Sequence, residues 1–75
     1  MIIYDDMVVA AKKDCTISAA PFNNQTMIAG GSLWYVDKLS KFSGSGFYYW
    51  IESFDGKVHI PITEKDLQAK FQKVQ

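Results

Sequence analysis

The stretch that most constrains this chain is Phe47–Ile62, FYYWIESFDGKVHIPI. Two runs rich in aromatic and β-branched residues flank Asp55-Gly56, the short-range signature of a tight β-hairpin. Taking Asp55 and Gly56 as the two loop residues of a type I′ turn sets the register. Phe54 then faces Lys57, Ser53 faces Val58, Glu52 faces His59, and Ile51 faces Ile60. Tyr49, Ile51 and Ser53 share a face with Val58, Ile60 and Ile62, and that face is expected to be the core side. The other face carries Tyr48, Trp50, Glu52 and Phe54 with Lys57 and His59. A slip of one residue would exchange the two sets and put the isoleucines in water, so the register is well specified. Pro61 falls opposite Trp50, where this register calls for a ladder N–H. Pairing is therefore expected to end or bulge there.

The hairpin is expected to be the stiffest part of a single small domain, because the chain has 75 residues. A domain of this size buries only about 60% of its unfolded surface. Cys15 is the one cysteine, so neither an internal disulfide nor a thiolate metal cage can staple the fold. Packing must hold it together, and the composition, 48% hydrophobic and 15% aromatic, permits that. Eight basic and eight acidic residues cancel, and the isoelectric point is about 6.5. Such a surface lacks the electrostatic footprint that nucleic-acid affinity largely rests on. The longest apolar run, Met7–Ala11, is too short to cross a bilayer. The N-terminus shows no signal-like core. A soluble, cytoplasmic protein without membrane partners is expected.

Met1–Asp6 reads as a loosely packed N-terminal arm ending in an acidic pair. Met7–Lys13 reads as a first strand. Cys15–Ala20 alternates Cys15 and Ile17 against Thr16 and Ser18, the period of a strand with one buried face. Pro21–Gln25 reads as a loop. Thr26–Ile28 reads as a short strand, and Ala29–Ser32 as a sharp turn that needs its paired glycines. Leu33–Leu39 carries apolar bulk on both faces. Its position after a diverging turn favours Trp34 and Val36 as core. Ser40–Gly46 reads as a flexible polar loop around Phe42. Thr63–Val74 reads as a terminal helix, with Thr63 as N-cap and Glu64 and Asp66 in the first turn. Leu67, Phe71 and Val74 form its apolar stripe. At this length the helix is stable only if that stripe docks on the sheet.

This order of parts resembles an SH3-like barrel of about five strands with a short C-terminal helix, spanning roughly residues 7–75. Gly31–Val36 is similar to the KGD-x-L-x-V stretch of that fold. Tyr48-Tyr49-Trp50 sits where many such barrels carry aromatics, and His59-Ile60-Pro61 is similar to their GYIP. The ALYDY motif and the acidic loop of signalling SH3 domains are missing, so the resemblance does not imply proline-rich peptide binding. The terminal helix is also longer than usual. In size and style the chain looks like the short stand-alone barrel proteins of phages and mobile elements. That likeness implies a factor that binds and modulates or inhibits a host protein in the host cytoplasm.

The residues offer little catalytic chemistry. His59 opposite Glu52 could act as a positioned acid or base, but that role needs a third orienting group and a cleft. A cross-strand pair on an exposed face is the simpler account. Cys15 lies among Thr, Ile and Ala, which suits a buried thiol better than a nucleophile. No HExxH, glycine-rich phosphate loop or paired-cysteine site occurs, so no cofactor or metal is expected. Asp5-Asp6 reads as a solvated end rather than a calcium site. The feature with functional weight is aromatic: Tyr48, Trp50, Tyr35 and Phe54 beside His59 and Lys57, with Phe42 a further candidate. Aromatic residues of this kind dominate binding hot spots. Either this face is exposed and binds, or the terminal helix or the N-terminal arm covers it. The sequence thus points to a non-enzymatic protein-interaction module. Single-stranded nucleic-acid binding by base stacking is the alternative, disfavoured by the neutral charge. A homo-oligomer that buries the aromatic face is a third reading.

Overall fold

A computed structural model describes residues 1–18, 25–37, 42–43 and 46–74, without the side chains of residues 42, 43 and 46–48. In chain order the elements are β1 (Val8–Ala11), β2 (Cys15–Ile17), β3 (Thr26–Ile28), β4 (Leu33–Asp37), β5 (Phe42–Ser43), β6 (Gly46–Ser53), β7 (His59–Thr63), α1 (Glu64–Lys70) and β8 (Phe71–Lys73). The main sheet is antiparallel. β1 pairs with β4, β4 with β6 and β6 with β7, while β8 returns to the far side of β1. This meander with a returning last strand is the mainly β sheet of about five strands with a short C-terminal helix expected from the sequence. β2 and β3 form a separate ladder projecting between β1 and β4. The stretch around Phe42 is not simply loop, since Phe42 and Ser43 pair with Phe47 and Gly46. The segment 19–24 lies outside the described residues, so the expected loop there is seen only at Gln25.

Strand alternation builds one core. Val9 and Ala11 of β1, Trp34 and Val36 of β4, Tyr49 and Ile51 of β6 and Ile62 of β7 all point inward. Ile17, Ile28, Leu67 and Phe71 close it, with Cys15 and Ile60 packed at its margin. Trp34 and Val36 thus lie inside, as their position after the diverging turn predicts. The N-terminal arm is held more firmly than its composition suggests. Ile3 and Met7 enter the core, although Ile2 stays in solvent. Asp6, at φ +63°, donates its N–H to the Val36 carbonyl at 2.8 Å. Gln68 Nε2 donates to the Met1 carbonyl at 2.7 Å.

The β6–β7 register matches the expected one, from Glu52↔His59 through Ile51↔Ile60 to Tyr48↔Thr63. The turn chemistry differs. A type I′ turn needs positive φ at both central residues, and of Asp55 and Gly56 only Gly56 has it, at +75°. Gly56 N–H reaches the Ser53 carbonyl and Ser53 N–H reaches the Val58 carbonyl, both at 2.9 Å, which makes a four-residue connection over residues 54–57. The two loops share a centre, so the facing pairs are unchanged. The hydrogen-bonded and non-bonded pairs trade places, however. Ser53–Val58 is bonded, so by alternation Ile51–Ile60 and Tyr49–Ile62 are bonded and Trp50–Pro61 is not. Pro61 therefore lacks an N–H only on the outer edge, and pairing runs on through Ile62 and Thr63 instead of ending at the proline.

The diverging turn explains its glycines separately. A Cβ on Gly30 would lie 2.8 Å from the Lys13 Cα, a backbone contact that cannot relax cheaply. Gly31 sits at φ +82° in open space, so its requirement is conformational. Around the turn, Gly30 N–H donates to Asp14 Oδ1 at 2.7 Å, and Trp34 Nε1 donates to Ser32 Oγ at 2.9 Å.

The terminal helix is shorter than expected. Thr63 does cap it, accepting the Asp66 N–H at 3.1 Å. The helix ends at Lys70, and Phe71 turns extended at φ −125°, ψ 158°. Phe71–Lys73 pair with β1, so the range 63–74 holds a helix over Glu64–Lys70 and then a short strand. The reason is the open edge of β1, a buried strand whose backbone groups need partners. Lys12 N–H bonds the Lys70 carbonyl at 2.9 Å, and Val74 N–H bonds the Val8 carbonyl at 3.0 Å. Leu67 and Phe71 are buried as expected, while Val74 is 46% exposed, off the stripe a longer helix would have made.

Candidate functional site

With Trp34, Val36 and Ile51 inward, the alternate residues of β4, β6 and β7 form the outer face of the sheet. The register aligns them in rows. Tyr35, Glu52 and His59 make one row, with Val8 of β1 beyond Tyr35. Asp37, Trp50 and Pro61 make the next. Tyr35 stacks on Phe54, with ring centroids 4.4 Å apart and planes 15° from parallel. Trp50 packs on His59 at 4.7 Å and 37°. Tyr35 is 37% exposed and Phe54 51%. The helix does not cover this face, because Leu67 and Phe71 belong to the core on the other side of the sheet. On that inner side Tyr49 Oη donates to Glu64 Oε1 at 3.0 Å, and burial, with this carboxylate adding to it, pushes the Tyr49 hydroxyl above its ordinary pKa.

Four of the six predicted binding residues, Tyr35, Trp50, Phe54 and His59, thus form two ring contacts on one surface. Lys57 lies in the turn and is exposed. There its N–H donates to Asp55 Oδ1 at 3.0 Å. Tyr48 pairs with Thr63 through its backbone, and its side chain lies outside the described residues, as does that of Phe42.

Two carboxylates lie here that residue order does not assign to this face, Asp6 reading only as part of a solvated acidic end. Asp6 and Asp37 join Glu52, His59, Tyr35 and Val36 around a cleft of about 140 Å³. Asp37 stands two residues after Tyr35 on the same strand face, so alternation could have found it. Asp6 arrives through its left-handed backbone, which nothing in the sequence pattern announces. The cleft is below the roughly 300–1,000 Å³ of ordinary small-molecule sites. Glu52 and His59 are cross-strand partners at its rim, as expected. Among the described residues no group of three His, Cys, Asp or Glu is arranged to hold a metal ion.

A wider hollow of about 400 Å³ lies on the β2–β3 ladder, lined by Asp14, Cys15, Thr16, Met27, Ile28 and Ala29. Cys15 is half-buried there beside core residues, and among the described residues no basic or imidazole side chain lines the hollow to activate it. Met27, 88% exposed, projects from its edge. Among the described residues no helix is long and apolar enough to cross a membrane. No protein-family model matches the chain, and no curated protein or solved structure matches it.

Proposed function

We propose that this chain is a non-enzymatic protein-interaction module that binds through the outer face of β4, β6 and β7. The observation that carries the reading is the Tyr35–Phe54 stack, two large rings held parallel and in solvent on a rigid sheet. Rings already ordered lose little entropy on binding, which is why aromatic anchors concentrate binding energy. The neighbouring Trp50–His59 contact extends the same surface. Modulation of a host protein by occlusion rests on the resemblance to phage-type barrels alone.

The face suits a protein better than a nucleic acid. Asp6, Asp37 and Glu52 line its cleft, and among the described residues no lysine does, so a phosphate backbone stacked here would meet like charge from them. An affinity pull-down with the wild-type chain and a Phe54→Ala variant tests the reading. Proteins retained by the wild type should be lost from the variant, and an identical set on both baits would refute it. Oligonucleotide binding that falls steeply with salt would favour the nucleic-acid alternative. A mass that rises with concentration would favour self-association through this face.

A further inference from the structure

The outer face of the sheet runs further than its ring contacts. The ladder that pairs Val9 with Lys73 sets Val74 beside Val8, and Val8 faces Tyr35 in the same row. Ala10 faces Leu33 in the next row, and Phe54 stacks on Tyr35. Leu33, Tyr35, Phe54 and Val74 are four of the nine large hydrophobics exposed among the described residues. Single exposed apolar residues are ordinary, but a contiguous patch marks an interaction site.

The order of side chains along β1 says what fits on that patch. The outward positions run Asp6, Val8, Ala10, Lys12, with an acid at one end, a base at the other and apolar groups between. Asp6 lies on this face, since it shares a cleft with Tyr35 and Glu52. Lys12 follows Ala10 by strand alternation, and its N–H continues the ladder to the Lys70 carbonyl. A half-turn about an axis through Val9, lying in the contact plane and perpendicular to the strands, returns this order onto itself. Asp6 of each copy then meets Lys12 of the other, Val8 lies over Ala10, and Tyr35 lies over Leu33. Such self-complementarity is what a closed two-fold contact requires. Opposite charges at the two ends fix its register. The chain as a whole has no net charge, so two copies approach without long-range repulsion.

We propose that the outer face of β1, β4 and β6 docks a second copy of this chain, antiparallel about a two-fold axis at Val9, with Asp6 of each copy set against Lys12 of the other. This rests on the interaction-module reading and names the partner.

Sedimentation equilibrium of the full chain tests it. The mass should climb with concentration from 8.5 kDa toward twice that and stop there, because a two-fold contact closes. Leu33→Ser and Phe54→Ala should each weaken the dimer roughly tenfold. Lys12→Glu and Asp6→Lys set like charges against each other and should each weaken it roughly tenfold as well. A one-to-one mixture of those two charge variants should dimerise again. Thermal midpoints separate lost association from lost fold, and Lys12→Glu with Leu33→Ser decides the matter if Asp6→Lys does not fold. A chain that stays at monomer mass throughout would overturn the second copy. The interaction face then stands if Phe54→Ala still empties the pull-down, and falls with it if the retained proteins are unchanged. A dimer indifferent to Leu33→Ser and Lys12→Glu, or a mass that rises past two copies, would overturn this contact.

Discussion

Trp50 faces Pro61 across a pair that exchanges no ladder hydrogen bonds, so the proline interrupts nothing inside the sheet. Its missing donor lies on the side of β7 away from β6, an edge with no strand partner among the described residues, where proline discourages pairing with another chain. Pro61→Ala should change folding stability by less than about 1 kcal/mol while adding an edge donor that promotes self-association. Ile60→Pro, one residue earlier at a bonded position, should cost about 3 kcal/mol or more. Guanidinium denaturation and sedimentation velocity of the two variants check this. Equal destabilisation by both would mean that the pairing alternation is misassigned.

The diverging turn makes a steric prediction. A methyl group at position 30 would press on the backbone of Lys13 and Asp14 at 2.8 to 3.0 Å. Gly30→Ala should therefore destabilise by roughly 1–3 kcal/mol, the range for overpacking that cannot relax. Gly31→Ala meets no neighbour but must hold φ +82°, a strain of about 1–2 kcal/mol. Thermal melts measure both. A neutral Gly30→Ala would show that the approach of Ala29–Ser32 to residues 13 and 14 is looser than described.

The stacked rings should couple energetically. In a double-mutant cycle with Tyr35→Ala and Phe54→Ala, the interaction should lie toward the lower end of about 0.5–1.5 kcal/mol, because both rings are partly hydrated. Neither single variant should unfold the chain, since neither ring belongs to the core. Additive free energies in urea would argue that the stack does not persist in solution, and with it the preordered binding surface would go.

The β6–β7 turn should be sensitive to acid. Asp55 Oδ1 accepts from Ser53 Oγ at 2.6 Å and from Lys57 N–H at 3.0 Å. These bonds, that from Ser53 first, hold its carboxyl below the ordinary value of 3.8. A carboxyl depressed in the folded state favours folding above its unfolded pKa, and that contribution fades as pH falls through the folded one. The stability gap between wild type and Asp55→Ala should be present at pH 7 and shrink steadily below about pH 4. A gap that stays constant down to pH 2, measured by urea midpoints, would refute the role given to this side chain.

The hairpin was legible in residue order. Facing pairs depend on the parity of the loop and on which residues tolerate water, and both can be read from FYYWIESFDGKVHIPI. Trp34 and Val36 were legible for the same reason, because strand alternation is a local geometric rule. The hydrogen-bond phase of that hairpin was not. It turns on the backbone angles of Asp55 and Gly56, and two loops with the same centre satisfy the same side-chain pattern.

The end of the chain shows the other limit. Thr63 could be named as a cap because capping is a contact over three residues. That the helix stops at Lys70 depends on β1, some sixty residues away, whose open edge outbids one more helical turn for the backbone of Phe71–Lys73. The cleft is of the same kind. Tyr35 and Phe54 could be nominated from residue type, but Asp6 joins Asp37 and Glu52 only because the arm runs alongside β4, where Asp6 in left-handed backbone bonds the Val36 carbonyl. Periodicity, turn residues and capping act within a few residues and so survive in the linear code. Edge satisfaction and the meeting of distant charges are properties of the closed sheet, and they exist only once the strands have found each other.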